Sequence, residues 1–140
     1  GEIKKEDYKN LVNLAGDMAR VWVIAPEREG IEGFMEYARK VNPKTNFAVG
    51  HSEASYDEIS KLKKFDLNLM THCMDATGRI TEYSGTRGAG PDEYCMTHDN
   101  MYAELISDSM AIHVNPTVQR LILKTKGIDK VVKSRIVFRK

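Results

Sequence analysis

The stretch Asn46-Phe47-Ala48-Val49-Gly50-His51-Ser52-Glu53-Ala54-Ser55-Tyr56-Asp57-Glu58 decides how this chain folds. Phe47 to Val49 is a brief apolar run closed by Gly50, and it reads as a buried strand. Ser55 and Glu58 form an S-x-x-E capping box, which opens a helix that continues through Ile59 and Leu62. A strand, a short loop and a helix in immediate succession make the βα half of a parallel crossover. His51 falls in the loop, just past the carboxyl end of the strand.

The same alternation extends in both directions. Upstream, Ile3, Tyr8, Leu11, Val12 and Ala15 fall at helical spacing, and Gly16 ends the segment. Arg20 to Ala25 is an apolar run bounded by Pro26, and Ile31, Phe34, Met35 and Ala38 return to helical spacing. Downstream, Leu67 to Met70 and Tyr102 to Ile106 read as strands. Asn115 with Pro116 marks a helix start, Leu121 and Leu123 carry the helix on, and Gly127 stops it. Val131, Val132, Ile136 and Val137 supply one further strand or two. Nearly continuous apolar strands alternating with helices predict an α/β fold with a parallel sheet covered on both faces. The Gly-rich stretch from Cys73 to Asn100 interrupts the pattern, and its length marks it as a functional or a disordered loop.

Composition narrows the function classes. The chain has 140 residues, 41% of them hydrophobic, enough to bury a core. Its 21 Lys+Arg balance 20 Asp+Glu with no basic stripe, which argues against nucleic acid or an anionic membrane as partner. No apolar run approaches the roughly 20 residues of a membrane span, and no signal-peptide pattern opens the chain. Two cysteines, Cys73 and Cys95, are too few for a disulfide scaffold, so a cytoplasmic location is expected. The start on Gly1 rather than Met suggests a start other than the native one.

Three histidines occupy equivalent places in successive units. His51 follows the strand ending at Val49, His72 follows the strand ending at Met70, and His113 lies beyond the strand ending at Ile106. In parallel α/β folds ligands bind at this carboxyl edge of the sheet. Neighbouring strands lie about 4.8 Å apart, so two imidazoles so placed could share one metal at about 2.1 Å each. Each histidine alone fits a plain hydrogen-bonding role better than a ligand's, and the threefold recurrence brings the two readings level.

Several motifs in order resemble the N-acetylglucosamine-6-phosphate deacetylases of the amidohydrolase superfamily. Gly50-His51-Ser52-Glu53-Ala54-Ser55-Tyr56 is similar to their G-H-S-x-A-(S/T)-Y, and Thr71-His72-Cys73-Met74-Asp75-Ala76 to their T-H-L-F-N-A-M. Tyr102-Ala103-Glu104-Leu105-Ile106, then Asp108 and Ile112-His113-Val114, resemble Y-A-E-L-I-x-D-G-x-H-V. Ala25-Pro26-Glu27 matches an A-P-E after the preceding strand. The similarity runs from near residue 3 to about residue 130.

This resemblance implies a partial (β/α)8 TIM-type barrel, since a whole one needs about 250 residues. Residues 1–130 would form the central part of the barrel, and 131–140 a terminal strand of uncertain placement. It implies a hydrolase removing acetate from N-acetylglucosamine 6-phosphate, with a divalent metal, zinc or iron, activating water. His51 and His72 would be metal ligands. Asp75 and Ala76 would contact substrate, and His113 would contact the sugar and polarise the scissile amide. Arg87 would serve the phosphate, as a guanidinium suits that anion. A homodimer is also implied.

The departures from the family pattern are specific. The family's glutamate metal ligand, in an H-L-E-G-P motif, falls upstream of residue 1. The strand after Gly127 reads Val131-Val132-Lys133-Ser134-Arg135, where the family carries its acid–base aspartate in a T-D motif. Asp75 stands where the family has Asn, and Ser109-Met110-Ala111 replaces a Gly. A non-catalytic metal- or sugar-phosphate-binding remnant is therefore the alternative reading. Outside these motifs, Cys95-x-x-His98 is half of a possible zinc site, Cys73 reads as a small buried hydrophobe, and Trp22 as core.

Overall fold

In a computed structural model, residues 2–77, 81–83, 86–108 and 110–134 are described, with the backbone alone for 81–83 and 86–87. In chain order the elements are α1 Lys5–Ala15, β1 Val21–Ile24, α2 Ile31–Val41, β2 Asn46–Val49, α3 Tyr56–Lys61 and β3 Leu69–Met70. There follow β4 Thr81–Tyr83, β5 Thr86–Arg87, α4 Pro91–Thr97, β6 Tyr102–Ile106, α5 Pro116–Lys126 and β7 Val131–Ser134. Five strands form one sheet in the order β1-β2-β3-β6-β7, while β4 and β5 form a separate pair. Every neighbour in the large sheet is parallel. Parallel strands joined through helices are the α/β plan that the alternation predicts, and the sheet is that of a partial TIM-type barrel.

Packing follows the helical spacing. On α2, Ile31, Phe34, Met35 and Ala38 are buried, and α1 contributes Tyr8 and Val12. Tyr8 and Trp22 both meet the Phe34 ring edge-on, with centroids 5.7 and 5.4 Å away. Such edge-to-face pairs add to what area burial alone gives. Phe47, in β2, is fully buried and packs edge-on against Phe65.

Three sequence expectations differ from what is observed. On α5 the buried residue is Ile122, with Val118 packed beside it, while Leu121 and Leu123 are exposed. The four-residue step from Val118 to Ile122 is the inward stripe, and the two leucines flank it. Leu11 of α1 is likewise exposed. The stretch from Cys73 to Asn100 is not one loop: it contains the β4–β5 pair and α4. Pro91 opens α4 at its first turn, and the Gly90 N–H is capped by the Glu93 carboxylate at 3.0 Å. Apolar composition hid this helix because its inward side chains include Pro91, Asp92 and Cys95.

Burial on both faces also fails at the outer strands. Val21 and Val23 of β1 and Val132 of β7 are exposed, so only one face of β1 is covered. Val131–Ser134 lies in the main sheet, parallel to β6, and residues 135–140 lie outside the described residues.

Candidate functional site

The histidines are placed by hydrogen bonds that continue past the strand ends. The Gly50 N–H donates to the Ile24 carbonyl at 3.1 Å, and the Thr71 N–H to the Val49 carbonyl at 2.8 Å. The Cys73 N–H donates to the Glu104 carbonyl at 2.7 Å. These bonds tie the starts of the loops after β2 and β3 to the neighbouring strands β1, β2 and β6. Gly50 sits where they crowd. A Cβ there would lie 2.7 Å from Val23 Cγ1 and 3.0 Å from Thr71 Cβ, so only glycine fits immediately before His51.

His51 and His72 meet. Their Nε2 atoms are 3.0 Å apart, with ring centroids 4.5 Å apart at 76°. Both residues have positive φ, 49° and 36°, which side chains with a Cβ adopt only when their surroundings hold them. His72 Nδ1 lies 2.9 Å from the Asp75 carbonyl oxygen. A carbonyl can only accept, so Nδ1 is the donor to Asp75, and Nε2 is the ring nitrogen that faces His51.

That donor set fits a divalent cation. Two imidazole nitrogens about 2.1 Å from one tetrahedral zinc stand roughly 3.4 Å apart, a few tenths of an ångström beyond the present separation. Zinc at such a centre takes nitrogen, sulfur or oxygen ligands, and a backbone carbonyl fixing the other ring nitrogen is the usual support. The pair supplies two ligands. Among the described residues no group of three His, Cys, Asp or Glu converges.

Glu27 and Asp92 hold the two histidine loops. Ser52 Oγ donates to Glu27 Oε2 at 2.7 Å, and the Glu53 N–H to Glu27 Oε1 at 3.1 Å. Asp92 accepts the Met74 N–H at 2.7 Å on one oxygen and the Thr77 hydroxyl on the other. The A-P-E match contains Glu27 without giving it a role, and no sequence motif marks Asp92. Its signal is a carboxylate in the first turn of a short helix that proves to be buried.

His113 lies in the loop beyond β6, with its Nδ1 3.2 Å from Asp108 Oδ2. Asp108 also accepts the N–H groups of Met110, Ile112 and His113 at 3.1, 3.0 and 3.3 Å. The Ile112 N–H above all, with the His113 ring and the other two amides, pulls the Asp108 carboxyl down to about 2. Asp75 and Ala76 occupy the turn after His72, and Ala76 has φ 52°. Arg87 lies in β5, antiparallel to β4, and its side chain is outside what is described.

The cysteines take no part. The hydrogen bond that the Cys73 thiol donates to Cys95, followed by burial, pushes Cys73 well up, so it stays protonated. His98 stacks on Tyr94, centroids 3.9 Å apart, with its Nδ1 2.8 Å from the Tyr94 carbonyl oxygen. Its Nε2 is 3.3 Å from the Tyr56 hydroxyl, so it cross-links α3 and α4. Both ring nitrogens of His98 thus have partners other than Cys95.

No protein-family model matches the chain, and no curated protein does. Solved structures do. N-acetyl-D-glucosamine-6-phosphate deacetylase from Mycobacterium smegmatis superposes with TM-score 0.74 at 24% identity, over 95% of this chain and 33% of that one. The Pasteurella multocida enzyme gives 0.73 at 24% identity, over 95% of this chain and 32% of that one. The Thermotoga maritima enzyme gives 0.76 at 19% identity, over 95% and 33%.

The chain has part of the deacetylase fold.

It spans about a third of the length of these deacetylases. β2, β3 and β6 stand side by side in the sheet, with a histidine beyond the carboxyl end of each. No helix of the described residues is long and apolar enough to cross a membrane.

Proposed function

We propose that this chain carries the histidine part of a divalent-metal site in a deacetylase acting on N-acetylglucosamine 6-phosphate. The observation that carries the reading is the meeting of His51 Nε2 and His72 Nε2 at 3.0 Å, beyond adjacent parallel strands of a deacetylase-like sheet. One M. smegmatis relative of the fold, a substitution variant, was solved with N-acetyl-D-glucosamine-6-phosphate bound. That bound ligand supports N-acetylglucosamine 6-phosphate as the substrate of this reading.

In this reading His51 and His72 hold the metal, zinc or iron. A metal there supplies Lewis acidity toward water and an amide carbonyl at neutral pH. The Asp75 carbonyl fixes the His72 ring, and Asp75 and Ala76 border the sugar. His113 polarises the scissile amide. Asp108 orients the ring through its Nδ1, 3.2 Å away, and leaves Nε2 for the substrate. Arg87 receives the phosphate, and a homodimer in the cytoplasm is the setting. The test is acetate release from N-acetylglucosamine 6-phosphate with added zinc or iron(II). Release that His113→Ala abolishes supports the reading, and Arg87→Ala should raise KM for the phosphorylated sugar alone. Metal-independent release counts against it.

A specific observation favours a second reading, binding without turnover. The described residues bring together only two metal ligands, and β7, Val131-Val132-Lys133-Ser134, carries no carboxylate to act as acid and base. Zinc and sugar-phosphate binding with no acetate release would establish this alternative.

A further inference from the structure

We propose that Asp92 is a positioning residue that sets the His72 ring by clamping the loop between them. The inference deepens the metal-site reading and rests on it for its metal arm. Asp92 is 8% exposed and stands in the first turn of α4, beside Pro91. One carboxylate oxygen takes the Met74 N–H at 2.7 Å, and the other takes the Thr77 hydroxyl. The clamp therefore grips both sides of Asp75, whose carbonyl holds His72 Nδ1 at 2.9 Å.

The loop needs such a clamp. His72, Met74 and Ala76 all have positive φ, 36°, 64° and 52°, and none is glycine. Left alone, a segment of this kind relaxes toward ordinary backbone angles, because the Cβ atoms disfavour the left-handed region. Relaxation would turn the Asp75 carbonyl away from His72 and release the ring to either tautomer. Asp92 is itself rigid. The Tyr94 N–H bonds to the Gly90 carbonyl at 2.9 Å, and the Tyr56 N–H bonds to the Ala89 carbonyl at 3.2 Å, tying this helix start to α3.

The bland role for Asp92 is a charge favoured by the helix N-terminus. The two roles separate by substitution. Asp92→Asn keeps an oxygen for the Met74 N–H and an amide that Thr77 can accept, but it loses the charge. Asp92→Ala loses both contacts, and Thr77→Val loses one.

The experiment is ring-nitrogen NMR of His72, paired with zinc titration, on the full chain. Wild type should show the Nδ1–H tautomer. Asp92→Ala should show a tautomer mixture and a zinc affinity about 10- to 100-fold weaker, the range for loss of a supporting partner. Asp92→Asn should stay close to wild type, and Thr77→Val should fall between. A wild-type tautomer and zinc affinity in Asp92→Ala would overturn the proposal. So would an Asp92→Asn variant as impaired as Asp92→Ala, which would assign the effect to charge. If Asp92→Ala does not fold, the order of Asp92→Asn and Thr77→Val decides, with no tautomer change in Thr77→Val counting against the clamp. A wild-type chain that binds no zinc would refute the metal-site reading and leave the tautomer comparison to decide this one.

Discussion

Replacing Glu27 with alanine removes both acceptors that hold the loop after β2. Ser52 Oγ loses its 2.7 Å bond and the Glu53 N–H its 3.1 Å bond. Ser52 is completely buried, and its oxygen already accepts the Ala54 N–H at 3.0 Å. Its hydroxyl proton is left facing the vacated space. An unsatisfied buried donor costs about 1–3 kcal/mol, and water reaches the exposed Glu53 amide to offset most of the second loss. The expected destabilisation is therefore about 2 kcal/mol. For a domain of this size that lowers Tm by roughly 4–8 °C. Glu27→Gln keeps one oxygen for Glu53 and lets Ser52 turn its hydroxyl to accept, so it should cost about half as much. Urea unfolding followed by circular dichroism measures both. A Glu27→Ala variant within about 0.5 kcal/mol of wild type, the scatter of ordinary surface changes, would show that the carboxylate does not hold this loop.

Gly50→Ala should cost about 1–3 kcal/mol by overpacking, because its Cβ would meet Val23 and Thr71. Thermal unfolding checks the stability loss, and the same variant should lose zinc affinity as His51 is displaced. Asp108 gives a pH dependence. Its folded pKa, about 2, lies below the ordinary aspartate value near 4, so its stabilising effect is complete above about pH 4 and is lost as pH falls toward 2. Melting curves between pH 2 and 6 should therefore fall more steeply for wild type than for Asp108→Asn. Equal slopes would contradict the carboxylate's role in the loop before His113.

The strand–helix alternation was legible in the sequence because its signals are local. The Ser55–Glu58 box forms as read: the Ser55 side chain accepts the Glu58 N–H, and the Glu58 carboxylate accepts the Ser55 N–H at 2.8 Å. The Asn115 side chain caps α5 through a contact only two residues away. The meeting of His51 and His72 was legible for a related reason, since equal positions after neighbouring strands fix both rings at one edge. What escaped were features set by distant partners. The inward face of α5 depends on where β6 and α4 stand, so Ile122 rather than Leu121 or Leu123 is buried. Asp92 lies 18 positions from Met74, a partnership that no local pattern signals.

The central claim is that His51 and His72 share one metal. Anomalous diffraction at the zinc edge, from crystals of this chain grown with zinc, tests it most directly. The account predicts one peak about 2.1 Å from both Nε2 atoms, absent from His72→Ala crystals. Zinc bound elsewhere with none between the two rings, or a peak that persists in His72→Ala, would contradict it.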